Sequence, residues 1–255
     1  MNFSNQLNNF SKEIKNMNFE YLTALALLCL FYVISIYLMK YIHHFQLANI
    51  VFGFVVFIFY VCHSTIIYKN VGFSDWNFQN TLPVANASPF MFSLMPIIMI
   101  LPKKVKKHFH LLISLLLVAM FLASVLGCIN NASINYKFHF HFILDYIAHI
   151  ILSLYGIFLI RSKQVELTTK NCLISSSIIL GTATVMLILN LIFDTSFFGL
   201  SLRGKHNIYN NILTDNSYVS ALLYYLGAML MLFLGFLACK FFAKNRFTIT
   251  KKAEK

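Results

Sequence analysis

Three residues in one short stretch have the types and spacing to do chemistry together. His141, Asp145 and His149 follow one another at intervals of four, so on a helix they share a face. A carboxylate at 145 can accept a hydrogen bond from a ring N–H of either histidine. That contact fixes the tautomer and raises the basicity of the other ring nitrogen, as a general base requires. Histidine and carboxylate are also ordinary metal ligands, but the remaining ligands cannot be identified, and no metal or other cofactor is assigned. The third use of such a face is structural, a polar network that ties helices together.

Further polar residues recur near the ends of apolar runs. Asn86 and Ser88 open one run, Asn190 closes another, and His63 ends a third. Ser88 is a candidate nucleophile if a histidine lies across from it; its alternative is a bond back to a carbonyl of its own helix. Asn86 and Asn190 can donate to an oxyanion. Arg203, Lys205 and His206 form a cationic cluster able to hold a phosphate or carboxylate head group, or simply a solvated loop. His43, His44, His108 and His110 read as residues of the membrane border rather than ligands. The five cysteines are scattered, with no CxxC pair and no disulfide framework.

The elements that carry these residues are dictated by composition. The chain has 255 residues, 59% apolar and only 11% charged, with 27 Phe and a mean hydropathy of +0.72. A soluble domain carries about 25% charge, and a disordered chain has few apolar residues, so both classes are excluded. Seven apolar runs fall at about 20–39, 47–68, 83–101, 109–128, 140–160, 172–193 and 218–239, each near the roughly 20 residues of a helical crossing. The expected fold is all-α, a polytopic bundle of seven transmembrane helices. Pro83 suits the first turn of the third run, while Pro89 and Pro96 are expected to kink it. Residues 1–19 form an interfacial segment, 20–240 the transmembrane domain and 241–255 a basic tail. In the first segment Phe3, Leu7, Phe10, Ile14 and Met17 share one helical face.

Charge sets the orientation. Lys40, Lys103, Lys104, Lys106, Lys107, Arg161, Lys163, Lys170, Lys240, Lys244, Arg246, Lys251, Lys252 and Lys255 fall on one side, 14 of the 20 basic residues. The positive-inside rule then predicts a cytoplasmic C-terminus and an external N-terminus. His63, Asn86, Ser88, His141, Asp145, His149 and Asn190 all fall toward the outer leaflet. Ionisable groups cost roughly 2.5–3.5 kcal/mol each at a helix centre in the bilayer, so they are expected to line a polar cavity open to the outside. The net charge of +12 is spent on topology, not on nucleic acid. Membrane lipids are the expected partners, with a small molecule or lipid as substrate and a bacterial plasma membrane as the location.

Three stretches carry a resemblance: Leu82-Pro83 with its polar continuation, the Asp145–His149 helix, and Asn190-Leu-Ile-Phe-Asp-Thr195-Ser-Phe-Phe-Gly-Leu200. In order and spacing they resemble the YwaF-type integral membrane family, which is similar to a vertebrate branch of multi-pass proteins that includes a glycerophospholipid acyltransferase. The resemblance covers about residues 50–240. Pro83, His149, Asn190 and Thr195 match the pattern. Ala87 stands where a Cys would be, and Ser196 and Phe197 stand where Asn-Tyr would be. The resemblance implies acyl chemistry in which that Cys carries the acyl group and the His activates it. With alanine at 87 the thiol route does not transfer unchanged, and Ser88 sits about 100° further round a helix.

Three functions follow as expectations. One is a lipid-directed enzyme, with His149 as base, Asp145 orienting it and Asn86 or Asn190 at the oxyanion. Another is a proton-coupled carrier of a small polar or anionic solute, which requires a second polar tier near the cytoplasmic side. The last is a regulatory membrane protein without chemistry.

Overall fold

A computed structural model describes residues 19–72, 82, 87–133, 140–193 and 217–244. Among them every regular element is helical: α1 (Phe19–Leu38), extended by a 3-10 turn Met39–Tyr41, α2 (Phe45–Val71), α3 (Ala87–Ile100), α4 (Lys103–Ser133), α5 (Phe140–Arg161), α6 (Thr169–Phe193) and α7 (Ser217–Lys244). Six of these are long and apolar enough to cross a membrane, and the protein is a multi-pass integral membrane protein. The remaining helix, α3, has 14 residues. At 1.5 Å per residue it reaches about 21 Å, short of a hydrocarbon core of about 30 Å. The described residues thus hold seven apolar helices by count, six of them of crossing length. The residues just before α3, Pro83 among them, lie outside the described ones, as does the N-terminal interfacial segment.

The helix ends follow local chemistry. Pro102 separates α3 from α4, and its carbonyl accepts the amides of Val105 and Lys106. Thr168 caps α6, its Oγ1 accepting the Asn171 amide at 3.2 Å. Gly72 closes α2 with φ +80°. Lys163 closes α5 with φ 56°, with the Gln164 amide bonded back to Leu159 O at 3.0 Å, a Schellman ending with lysine where glycine is the cheaper residue. Pro89 is the third described residue of α3, and residues 83–86 before it lie outside the described ones. Pro96 lies inside.

The bundle is built around α5. In its most apolar 18-residue stretch 89% of the residues are buried, against 11% in that of α1 and 17% in that of α2. Three serines stitch α5 to the antiparallel α4 in constant register: Ser124 Oγ to Tyr146 O at 3.2 Å, Ser153 Oγ to Leu117 O at 3.0 Å and Ser114 Oγ to Gly156 O at 3.2 Å. Small residues permit this approach, as membrane helix contacts require. On the other flank α2 packs on α5 and α3. α6 packs chiefly on α4 and α7, and α7 lies against α4. Aromatic contacts fill the α2–α5 seam, where Phe52 meets Tyr155 and Phe158 with ring centres 5.4 and 5.5 Å apart.

Candidate functional site

The described helices bring Asp145 and His149 of α5 together with His63 of α2. Asp145 is the first carboxylate along α5, one turn before His149. The His149 ring turns back along its own helix, so that Nδ1 lies 2.8 Å from the Asp145 carbonyl oxygen and 3.4 Å from Asp145 Oδ1. A carbonyl only accepts, so Nδ1 carries the proton. Neutral His149 is then the Nδ1–H tautomer, with the lone pair on Nε2. From the facing helix, His63 Nδ1 approaches the same Oδ1 at 3.8 Å. One carboxylate thus stands between two imidazoles contributed by two helices.

Exposure grades these three groups. The Asp145 side chain keeps 28% of its surface, His63 13% and His149 9%. The carboxylate is the open member and the His149 ring the enclosed one. Phe92 of α3 encloses it, edge to face with ring centres 5.0 Å apart, and Tyr60 of α2 backs Phe92 at 5.9 Å. The arrangement can hold a proton, orient an imidazole and present Nε2 as a base in a largely apolar surround.

The other sequence candidates fall apart by location. Ser88 lies one turn before Phe92 on α3, and its hydroxyl faces Met120 Sδ of α4 at 3.8 Å. That is a weak contact, and it turns the hydroxyl toward α4 rather than toward an imidazole. Asn190 is buried near the end of α6, a helix that packs on α4 and α7. His141 belongs to the first turn of α5, and its side chain lies outside the described residues. Asn86, Thr195, Arg203, Lys205 and His206 also lie outside them, as do the loops that would enclose the expected outer cavity.

Sequence reasoning placed His63 at the right depth but did not join it to Asp145. Depth was the available signal: His63 lies 18 residues into a helix entering from the opposite side, which is the level of the start of α5. A second departure is His110. The sequence put it at the membrane border, yet it is 5% exposed, with Nε2 3.3 Å from the Tyr155 hydroxyl. It belongs to a further set of buried polar contacts toward the Arg161 end of α5. There Tyr32 bonds Ser153 at 2.8 Å, Asn49 bonds Gln164 at 2.8 Å, and Arg161 Nη1 bonds Ile36 O at 2.8 Å. Comparison with family models, with curated proteins and with solved structures gave no match.

Proposed function

We propose that this membrane protein acts on ester-linked acyl groups of membrane lipids, with His149 as general base and Asp145 as the group that orients it. The observation that carries this reading is the 2.8 Å contact of His149 Nδ1 with Asp145 O, which leaves Nε2 as the proton acceptor. In hydrolysis a water gives its proton to Nε2 as its oxygen attacks the ester carbonyl. The alkoxide then leaves with that proton, and the base is restored. With an acceptor alcohol in place of water the same steps transfer the acyl group. Ser88, and Asn190 or Asn86 as oxyanion donors, remain part of the proposal. The resemblance to the YwaF-type family supports it. The basic residues gathered at the Arg161 end support a site in the exoplasmic leaflet, with the C-terminus in the cytoplasm.

The test is turnover of phospholipid by purified protein in nanodiscs, read as released fatty acid or transferred acyl chain. His149→Ala is expected to lower the rate about 10²–10⁴-fold, the usual worth of a positioned base, while the protein still inserts and elutes as the wild type does. Equal rates for both proteins would end the reading.

One observation favours a second function. Polar groups continue along α5 from Asp145 and His149 to Ser153 and on to the His110–Tyr155 pair, the second tier that a proton-coupled carrier needs. Proton-driven solute uptake into liposomes that is lost in both His149→Ala and His110→Phe would replace the enzyme reading with this one.

A further inference from the structure

Consecutive helices of a membrane bundle usually pack side by side. α1 and α2 depart from this. α1 leans on α4 and α5, and α2 leans on α5 and α3. The wedge between them is a cleft of about 590 Å³, within the range of small-ligand sites. Its walls come from Phe31 and Leu38 of α1 and Val51 of α2, and Ile151 and Leu154 of α5 form its floor. Phe31, Leu38 and Val51 are each about half exposed, so the cleft opens sideways toward lipid rather than into the bundle.

Its length and its ends have distinct meanings. From Phe31 to Ile42 the wall rises about 16 Å at 1.5 Å per residue, half of a hydrocarbon core of about 30 Å. The cleft is therefore one leaflet deep. At roughly 30 Å³ per heavy atom, the share of one water, it holds about 20 atoms, the size of one long acyl chain. Its lining is mostly apolar, and apart from Ser35 on α1 the polar groups collect at one end. Tyr41, His43 and His44 stand at the mouth. Lys40 lies next to Tyr41, its Nζ 4.8 Å from that ring centre and 3.9 Å from that of Tyr37. A cation and two imidazoles above an apolar slot of single-chain size match the shape and charge of one molecule type.

The geometry points to a binding site for a single anionic phospholipid of the Lys40-side leaflet, with one acyl chain in the α1–α2 wedge and its phosphate at Lys40, His43 and His44. The occupant is a bilayer lipid held stoichiometrically, not a member of the passing lipid annulus. The site shares no residue with the His149 centre and stands whether or not that centre is catalytic.

Native mass spectrometry of the full chain, released from detergent with phosphatidylglycerol or phosphatidylcholine added, tests it. The wild type is expected to retain one phosphatidylglycerol in preference to phosphatidylcholine. Val51→Trp, which fills the slot from a half-exposed position, is expected to reduce retention at least tenfold. Leu47→Trp, one turn nearer the mouth, gives the same loss and guards against a folding defect peculiar to one variant. Met229→Trp, on the exposed face of α7, leaves retention unchanged. Lys40→Gln lowers the preference for the anionic lipid about fivefold, the worth of one basic residue at an anionic surface, while the chain site still fills. Equal retention of both lipids by the wild type overturns the proposal, and so does a loss in Met229→Trp as large as that in Val51→Trp.

Discussion

Gly235→Ala is the substitution for which the structure gives the sharpest number. A methyl group at 235 in α7 would collide with the Leu115 peptide of α4. Besides the carbonyl oxygen, it would meet the carbonyl carbon at 2.6 Å and Cα at 3.0 Å. These are backbone atoms, so no rotamer change relieves the contact. The carbonyl oxygen is the nearest of the three, and bringing it to an ordinary contact of about 3.5 Å requires α7 to back away from α4 by well over 1 Å. That displacement loosens the Cys239 Sγ contact with Ser114 O, now 3.1 Å. It also forfeits at least a quarter to a half of the dispersion energy of each atom pair at the seam. Overpacking of this kind costs about 1–3 kcal/mol, and the rigid partner places Gly235 at the upper end. Alanine returns about 1 kcal/mol in helix propensity. The net loss is about 2 kcal/mol, or a fall in Tm of about 4–8 °C at 2–4 °C per kcal/mol for a chain of this size. Gly181→Ala is the matched control. Nothing lies within 4 Å of its added methyl, so the propensity term acts alone and Tm rises. Thermal unfolding of both variants in one detergent is the assay. A Gly235→Ala protein as stable as wild type, or stabilised like Gly181→Ala, would refute the close approach of α7 to α4.

Lys163→Gly removes a side chain from a left-handed backbone position and is expected to raise stability by about 1 kcal/mol, read in the same thermal assay. Tyr32→Phe and Ser153→Ala each remove one partner of a buried 2.8 Å bond. Tyr32→Phe is expected to cost about 1 kcal/mol and Ser153→Ala, which also loses the bond to Leu117 O, about 2 kcal/mol; a double-mutant cycle should show that the two losses do not add. Arg161→Met loses the charged bond to Ile36 O and should cost about 1.5–3 kcal/mol, with limited proteolysis reporting earlier release of the α1 end.

The helical class and most of the helix positions were legible because an apolar run of crossing length admits few other structures. The α5 run, expected at 140–160, is found at Phe140–Arg161. The third run, expected at 83–101, is described over Ala87–Ile100, and its first residues lie outside the described ones. The local pair Asp145–His149 could be read because helical spacing alone determines it. His63 could not be joined to it, since depth along a helix fixes height and leaves the azimuth open. Which face of α2 meets α5 is decided by packing, here by Phe52 against Tyr155 and Phe158. The same limit explains His110. One turn inside the membrane border, it is a surface residue or a core residue according to rotation alone, and Gly156 opposite Ser114 sets the rotation that buries it.

Polar side chains in a bilayer are costly where they face lipid and inexpensive where protein supplies their partners. α5 is the most buried of the described helices, and it carries Asp145, His149, Ser153 and Tyr155, each bonded within the bundle. The outer helices α1, α2, α6 and α7 turn mostly apolar residues outward, such as Val33, Phe54, Ile192 and Phe233. Burial of α5 is thus the condition that allows a carboxylate to sit between two imidazoles at one end and a histidine–tyrosine pair at the other. The serines of α4 and α5 hold the two helices at the separation this requires. A change that loosens α4 from its neighbours, as Gly235→Ala should, is therefore expected to disturb the His149 environment without touching it. The His149–Phe92 contact, 5.0 Å between ring centres, is the place to look. Ring-current shifts of the His149 ring protons should move toward random-coil values in Gly235→Ala and stay in place in Gly181→Ala.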